Sequence, residues 1–521
     1  MKPLRCDEAA LSLHERINQT SVAYPDDLSV AALFEAAAAR WPDEPAVVTA
    51  ARSCSYRELD HGANVLAWRL IEQGVRPGDV VALSLPRGAD LIVALVAILK
   101  AGATYMPLDA AWPAQRIAHL LGQTGCRHVL CAAAGLTHPA LESCRALPVS
   151  LDALREAGRR EAPAGLATAG SIAYINFTSG STGQPKGVPI EHRSIARLVF
   201  GASYARLDRD SRVLHMAPVT FDAATFEIWG PLLNGGVCVV YEDGFVRASR
   251  LRELIERQRV NLLFLTTALF NALVDEAPAT LASVATVLTG GEAHSLRHMR
   301  EALRRYGTER IVSVYGPTEC TTFTTWYPVR EIRADETMLP IGLPIQNTRL
   351  YLIEDDALCG AGEAGEICVA GPGLTPGYLG MPEMTRERFV EYEIGGRRER
   401  LYRTGDIGYL REDGVLVFKG RRDDQVKING FRIEFGEIAF HLQSRPEVRR
   451  SYVTVHDNGI EKRLVAFVVP VDDGCRPEQI RAALAEVLPA YMVPAQIHLC
   501  DDLPMSANGK IDHRHLKQSL E

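Results

Sequence analysis

The sequence predicts an α/β protein: a large N-terminal body of stacked α/β sheets, a β-rich part, and a small α+β C-terminal domain. Three observations predict this. From Ser29 to Leu265, segments with apolar residues at helical spacing alternate with short apolar runs, the order expected of parallel sheets covered on both faces. After about Leu339, Gly, Pro and short β runs dominate, which predicts an antiparallel, distorted β-barrel subdomain over about 340–422. A charged tetrad, Arg421-Arg422-Asp423-Asp424, then separates two β runs, and beyond it the pattern is small and mixed.

The elements follow in order. Ser29–Arg40 reads as an amphipathic helix, and Ala46–Val48 as a strand behind the turn Pro42–Pro45. Tyr56–Ile71 carries Leu59, Ala63, Leu66, Ala67 and Leu70 at helical spacing. Val80–Leu85 is a buried strand, Ala89–Lys100 a helix ended near Gly102, and Tyr105–Leu108 the next strand. The alternation continues through Val129–Cys131, Ser194–Phe200, Val213–Met216, Val237–Tyr241, Leu251–Gln258 and Leu262–Leu265. The β-rich part holds Arg349–Ile353 and Gly365–Ala370. The C-terminal part holds strands Val426–Ile428 and Leu464–Val469 and a helix Pro477–Val487.

Size and composition narrow the function. A chain of 521 residues has room for roughly three or four domains or subdomains. Its 47% hydrophobic and 23% charged residues are those of a globular protein. A net charge of −7 with no basic block argues against nucleic acid or an anionic membrane as partner. The eleven cysteines include no C-x-x-C pair, so neither a zinc site nor a redox dithiol is indicated. Scattered thiols, no secretory leader pattern in Met1–Glu15 and no apolar run long enough to cross a bilayer predict a cytoplasmic location.

The most informative run is Tyr174–Gly187, Y-I-N-F-T-S-G-S-T-G-Q-P-K-G. A short buried strand leads into Thr178, Ser179, Gly180, Ser181, Thr182 and Gly183, with Lys186 at the exit. Glycines let backbone N–H groups approach a ligand, hydroxyls add donors, and the lysine adds charge, a composition suited to phosphate oxygens. The Walker spacing G-x-x-x-x-G-K-[ST] is absent. The competing reading is a solvated Ser/Gly loop, which would not normally follow a buried strand.

Further runs occur in a fixed order: Leu99–Asp109 (L-K-A-G-A-T-Y-M-P-L-D), Tyr315–Glu319 (Y-G-P-T-E), Tyr402–Asp406 (Y-R-T-G-D), Gly420–Glu437 (G-R-R-D-D-Q-V-K-I-N-G-F-R-I-E-F-G-E) and Asn508–Asp512 (N-G-K-I-D). Together with Tyr174–Gly187 the chain strongly resembles the adenylate-forming superfamily, and within it the amino-acid adenylation domains of nonribosomal peptide synthetases. The resemblance runs from about Leu28 to Asp512. It implies an enzyme that joins a carboxylate to the α-phosphorus of ATP, releases pyrophosphate, and passes the acyl group to a carrier-protein phosphopantetheine thiol. It also implies a core over 1–422 and a mobile domain over 423–521 that hinges at Asp423.

The resemblance implies roles residue by residue. Thr178 to Gly183 and Lys186 would hold the β- and γ-phosphates, and Tyr315 would stack on adenine. Gly291, Glu292, Gly316 and Thr318 would complete the ATP site, with Ser313 standing where many relatives carry an Asn that contacts adenine. Glu319 would ligate Mg2+, since a hard cation takes carboxylate and phosphate oxygens together. Asp406 would accept from the ribose hydroxyls, with Arg421 adding a contact. Lys510 would bridge the substrate carboxylate and the α-phosphate, stabilising the transition state by charge. In the second half-reaction Lys427 to Phe431, around Gly430, would replace it and line the pantetheine tunnel.

Asp222, in Phe221-Asp222-Ala223-Ala224, matches the position that pairs with a substrate α-ammonium; the alternative is a cap for the helix beginning near Ala223. The corresponding pocket is Asp222, Ala223, Phe226, Phe264, Leu288, Gly290, Val314, Thr322, Phe323 and Lys510. Its wall is apolar with one hydroxyl, similar to valine- and isoleucine-activating domains. Thr266-Thr267-Ala268 departs from the usual proline-containing segment beside Phe264. Eleven residues follow Lys510 and no carrier or condensation motif is found. The expectation is therefore a stand-alone or excised adenylation unit serving a carrier protein in trans, with a small activator protein as an optional further partner. The rivals are a coenzyme A ligase, against which Asp222 argues, a D-alanine–carrier ligase, and an inactive binding scaffold.

Overall fold

The alternating helical and apolar segments assemble into two large, mainly parallel sheets with helices packed between and around them. The computed structural model describes residues 2–521 except 133, 135–137, 156–157, 181–182, 335, 423–424, 429, 458–461, 473, 505–515 and 517–521. Four of the expected functional positions, Ser181, Thr182, Asp423 and Lys510, lie outside the described residues.

Among the described residues the first sheet has nine strands. Pro45–Val48, Val237–Val240, Arg212–His215, Leu262–Thr266, Thr286–Gly290 and Ile311–Tyr315 run parallel in that spatial order. Antiparallel strands finish it at both edges, Ser53–Ser55 on one side and Thr325–Pro328 with Leu343–Pro344 on the other. The second sheet has six strands, Arg145–Val149, His128–Ala132, Val80–Ser84, Thr104–Pro107, Ile172–Thr178 and Lys186–Glu191; only the last pairs antiparallel.

The helices between these sheets explain their burial. Helix Ala89–Lys100 has no polar face: every residue except Asp90 is buried. Lys100 ends it with a fully enclosed side chain, paired to Glu35 at 2.6 Å and Asp60 at 2.9 Å. A cation at a helix C-terminus also meets the partial negative charge of the last carbonyls. Helix Tyr56–Glu72 packs beside it and opens with a capping box, Ser55 and Glu58 satisfying each other's backbone N–H groups. The buried Tyr56 hydroxyl donates to Gly236 O at 2.8 Å, so its burial leaves no orphan donor.

A third sheet is antiparallel and built from Arg349–Glu354, Ala357–Leu358, Ala364–Ala370, Phe389–Ile394, Arg397–Leu410 and Leu416–Arg421. The start of the chain joins it: Lys2–Pro3 pairs parallel to Tyr392–Glu393, a long-range addition with no local sequence signal. Beyond it, the hairpin Gln425–Ile428 and Phe431–Glu434 runs straight into helix Phe435–Gln443. Strands Val448–Asp457, Lys462–Pro470 and Gln496–Leu499 and helix Pro477–Ala485 complete this C-terminal unit. Its buried apolar clusters draw only on residues between 426 and 516. All eleven cysteines are unpaired, and all but Cys6, Cys144 and Cys500 are buried. No helix among the described residues is long and apolar enough to cross a membrane.

Leu95, 1% exposed in the middle of helix Ala89–Lys100, tests this packing. Leu95→Ala should lower unfolding free energy by about 2–5 kcal/mol, since the dense surroundings collapse only partly around the void. The urea midpoint of the intact chain, read by tryptophan fluorescence, measures it.

Candidate functional site

The parallel strands of the first sheet end together, and the segments leaving their carboxyl ends carry most of the expected site: Met216–Asp222, Thr266–Thr267, Gly290–Glu292 and Tyr315–Glu319. That edge is where open α/β sheets bind ligands. The Ser/Gly loop arrives from the second sheet as the turn of an antiparallel hairpin between Ile172–Thr178 and Lys186–Glu191. Its glycines are required by space and by conformation. A Cβ on Gly180 would lie 1.9 Å from Gln184 O, and Gly183 has φ +84°. Ser179 and Lys186 are buried, and Thr178 Oγ1 is buried with no hydrogen-bond partner among the described residues.

The Y-G-P-T-E segment ends in a strained turn. Thr321 and Thr322 have φ of +56° and +66°, a conformation costing a β-branched residue on the order of 1–3 kcal/mol. Arg197, wholly buried, holds the turn by donating to Cys320 O at 2.6 Å and Phe323 O at 2.9 Å. Thr321 Oγ1 donates to Gly373 O at 2.7 Å, and Thr324 N to Tyr315 O at 2.7 Å. Gly316 lets the strands close, since a Cβ there would meet Thr322 O at 2.2 Å. Tyr315 OH donates to Asp406 Oδ2 at 2.5 Å, and Arg421 Nη1 donates to Asp406 Oδ1 at 2.5 Å. The structure thus brings Tyr315, Asp406 and Arg421 into one cluster.

Glu319 has no exposure to solvent. Arg432 Nη1 donates to its two oxygens at 3.0 and 2.7 Å, and Tyr378 OH donates to Oε1 at 2.9 Å. Burial pushes its carboxyl up, but Arg432 and Lys186 outweigh burial and hold it down at about 2. Lys186 Nζ donates to Glu434 Oε1 at 2.6 Å and lies 5.4 Å from the Tyr378 ring centre. Glu292 turns toward the C-terminal unit, where its Oε1 accepts from Gly430 N at 2.8 Å.

Asp222 precedes helix Ala223–Leu233 with φ −68° and ψ −19°, and its side chain makes no capping bond. The capping alternative therefore does not describe it. Desolvation pushes its carboxyl above the usual carboxylate range, partly offset by the Thr318 hydroxyl and by Lys427. Thr322 Oγ1 donates to Asp222 O at 2.8 Å, so the single hydroxyl of the expected pocket wall is spent on the backbone. The rest of the wall converges. Phe323 packs on Phe226 and Phe264 with ring centres 5.4 and 5.8 Å apart, and Tyr204 backs Phe226 and Phe323 at 5.8 and 5.3 Å. Sheet register sets Phe264 beside Leu288 and Gly290 beside Val314. A Cβ on Gly290 would lie 2.1 Å from Val314 O. Ala223, Leu288 and Val314 are buried.

Sequence reasoning missed the groups that complete these contacts. Arg432, Glu434 and Glu437 lie inside the quoted run Gly420–Glu437, where alternating charge is visible without its targets. Lys427 has Asp406 and Asp222 as charged neighbours, and desolvation pulls its pKa down. Arg197 and Tyr378 carry no signal, because each acts on a turn far along the chain.

Comparisons with known proteins place the chain in a family. Residues 34–379 match the AMP-binding enzyme family, and residues 437–510 match the AMP-binding enzyme C-terminal domain. The chain is 37% identical over 508 residues to bacitracin synthase 3 of Bacillus licheniformis, covering 97% of this chain and 8% of that protein. It is 38% identical over 519 residues to surfactin synthase subunit 1 of Bacillus subtilis, covering 98% of this chain and 14% of that one. The solved structure of PA1221, a nonribosomal peptide synthetase protein containing adenylation and PCP domains, superposes with a TM-score of 0.85 at 33% identity, covering 99% of each chain. The family match and these relatives support an ATP-dependent, AMP-forming ligase. The chain belongs to the AMP-binding enzyme family, as an adenylation domain of the nonribosomal peptide synthetase type. It spans a small fraction, 8% and 14%, of the two curated relatives named.

The Glu319 environment sets a pH dependence. With the carboxyl held at about 2 against 4.5 when free, its contribution to stability is complete above pH 4.5 and is lost as pH falls toward 2. It amounts to a few kcal/mol, roughly. Urea midpoints at pH 6 and pH 3 should therefore fall further for the unmodified chain than for Glu319→Gln. An equal fall in both would contradict it.

Proposed function

We propose that this chain activates a branched aliphatic amino acid, valine or isoleucine, as its aminoacyl adenylate and transfers it to the phosphopantetheine thiol of a carrier protein. The observation that carries this reading is Asp222: a desolvated carboxylate free of capping duty, with only Thr318 and Lys427 partly offsetting its burial, beside an apolar wall whose one hydroxyl is spent on the backbone. An enclosed carboxylate costs free energy unless a cation meets it, and an α-ammonium is such a cation. The apolar rings and Leu288 favour an aliphatic side chain over a charged or polar one. This argues against a coenzyme A ligase for a simple acid.

On this reading each side chain has a physical task. Ser179, Gly180 N and Lys186 receive the β- and γ-phosphates, with Thr178, Ser181, Thr182 and Gly183 completing the loop. Tyr315 faces adenine, Asp406 takes the ribose hydroxyls beside Arg421, and the backbone near Gly291, Glu292, Gly316 and Thr318 closes the nucleotide site. Glu319 fits a Mg2+ ligand in chemistry, being a buried hard-oxygen donor kept ionised by its neighbours; its oxygens become available when Arg432 leaves. Mg2+, when bound, neutralises charge on the phosphates. Lys510, from its N-G-K-I-D frame, is assigned to the carboxylate and α-phosphate. It must leave again before a thiol can attack, which motivates a hinge at Asp423. The Gly430 hairpin, where Phe431 meets Phe221 edge-on at 4.8 Å, then borders the thiol's approach.

The carrier assignment rests on the relatives, PA1221 being one that contains both adenylation and PCP domains. A carrier supplied in trans, and a small activator protein, belong to the same proposal. Amino-acid-dependent pyrophosphate exchange across the standard amino acids, D-alanine and aryl acids tests the substrate. The expected result is the strongest exchange with valine or isoleucine, within about 10–200-fold of each other because one methylene is worth only about 1–3 kcal/mol. No exchange with any branched aliphatic acid would overturn the assignment. Lys510→Ala should abolish adenylation while thiolation from supplied adenylate persists; equal loss of both would remove the hinge argument.

A further inference from the structure

Three groups assigned to phosphate, Ser179, Gly180 N and Lys186, already have partners, and all of these come from one short stretch of the C-terminal unit. Lys186 Nζ donates to Glu434 Oε1 at 2.6 Å, and Gly180 N donates to Glu437 Oε2 at 3.1 Å. Ser179 Oγ donates to Arg432 O at 2.8 Å and accepts from Glu434 N at 3.2 Å. Arg432 covers both oxygens of Glu319. Phe440 lies against Gly183, where a Cβ would come within 2.4 Å of its ring. Arg116 fixes Glu437 from the other side at 2.9 Å. Glu319, Glu434, Glu437 and Lys186 are all buried.

The pattern of charge is specific. Two carboxylates sit on the donors assigned to phosphate oxygens, and one guanidinium sits on the carboxylate assigned to the cation. We infer that residues 430–440 are a built-in ligand of the phosphate site, Glu434 and Glu437 standing in for pyrophosphate oxygens and Arg432 for the metal ion, so that the docked C-terminal domain and magnesium pyrophosphate exclude each other. This rests on the ATP site proposed above. Its physical basis is that Lys186 and Glu319 are buried, and each loses a directly bonded charge partner when pyrophosphate and its metal depart. Docking of this segment restores both partners at once. By linkage, whatever favours docking weakens the nucleotide triphosphate by the same factor, and bound triphosphate opposes docking. Arg432, Glu434 and Glu437 are therefore positioning residues that couple pyrophosphate release to the thiolation arrangement.

Calorimetric titration of the intact chain with MgATP tests this, comparing Glu434→Gln, Glu437→Gln and Arg432→Gln. Each should bind MgATP roughly three- to tenfold more tightly, because less of the chain is held in the docked form. Each should also thiolate more slowly from supplied aminoacyl adenylate. Arg432→Gln discriminates best, since simple loss of a cation near a bound anion predicts the opposite sign. In the unmodified chain, magnesium pyrophosphate should speed amide hydrogen exchange over residues 430–440. This second readout does not depend on the variants folding normally. MgATP affinity unchanged or weakened in Arg432→Gln, or exchange unaltered by magnesium pyrophosphate, would overturn the inference. Failure of the unmodified chain to bind MgATP at all would instead overturn the ATP site on which it rests.

Discussion

Glu319 is a carboxylate with no access to water, and much of the site follows from that constraint. An ionised group in such a place must have a counter-charge at every stage of a reaction cycle. Here Arg432 supplies it across the boundary between the N-terminal body and the C-terminal unit, with Tyr378 and Lys186 close by. A metal ion is the other partner of suitable charge. On the inference drawn above, the position of the C-terminal unit is tied to the ionic state of a single buried residue, and side chains distant in sequence acquire a common purpose.

The same logic of enclosed charge and fixed backbone governs the turn that presents Glu319. Two threonines in the left-handed region are unfavourable, and they persist because Arg197 and the carbonyls of Cys320, Phe323 and Gly373 leave the chain no better arrangement. The cost is offset by geometry: this one turn positions Tyr315 against Asp406, Glu319 near Lys186 and Thr322 against the backbone of Asp222. Groups held in this way need not reorganise when charge develops on a substrate, which is the main source of electrostatic stabilisation in enzymes.

Much of this is legible in the amino-acid sequence, and the reasons are physical. Alternating periodicity reveals the parallel body, because strands buried on both faces are short continuous apolar runs while most of their covering helices are amphipathic, the enclosed helix Ala89–Lys100 being an exception. The hydroxyl- and glycine-rich loop stands out because close approach of backbone to an anion demands those residues. Contacts between segments far apart in the chain stay hidden. Arg197, Tyr378 and Lys2–Pro3 carry no local signal in the sequence. Their roles come from tertiary placement alone. Thr322 is a subtler case: its hydroxyl reads as part of a pocket wall, and only the left-handed backbone turns it to Asp222 O.

On the proposed reading, substrate choice depends on a different property, the register of the first sheet. Pairing of Phe264 with Leu288 and of Gly290 with Val314 fixes which side chains share the wall, and a slip of one residue would send each to the opposite face. Gly290 leaves no room for a side chain beside Val314 O, so the depth of the pocket is set by backbone and not by rotamers. Its breadth is set by Phe323, wedged among Phe226, Phe264 and Tyr204. A wall of this kind discriminates by shape and by the cost of burying charge. It can reject polar side chains strongly but separates neighbours by a single methylene only weakly. On the proposed reading, Asp222 selects the class of substrate, and the packed rings behind it select size within that class.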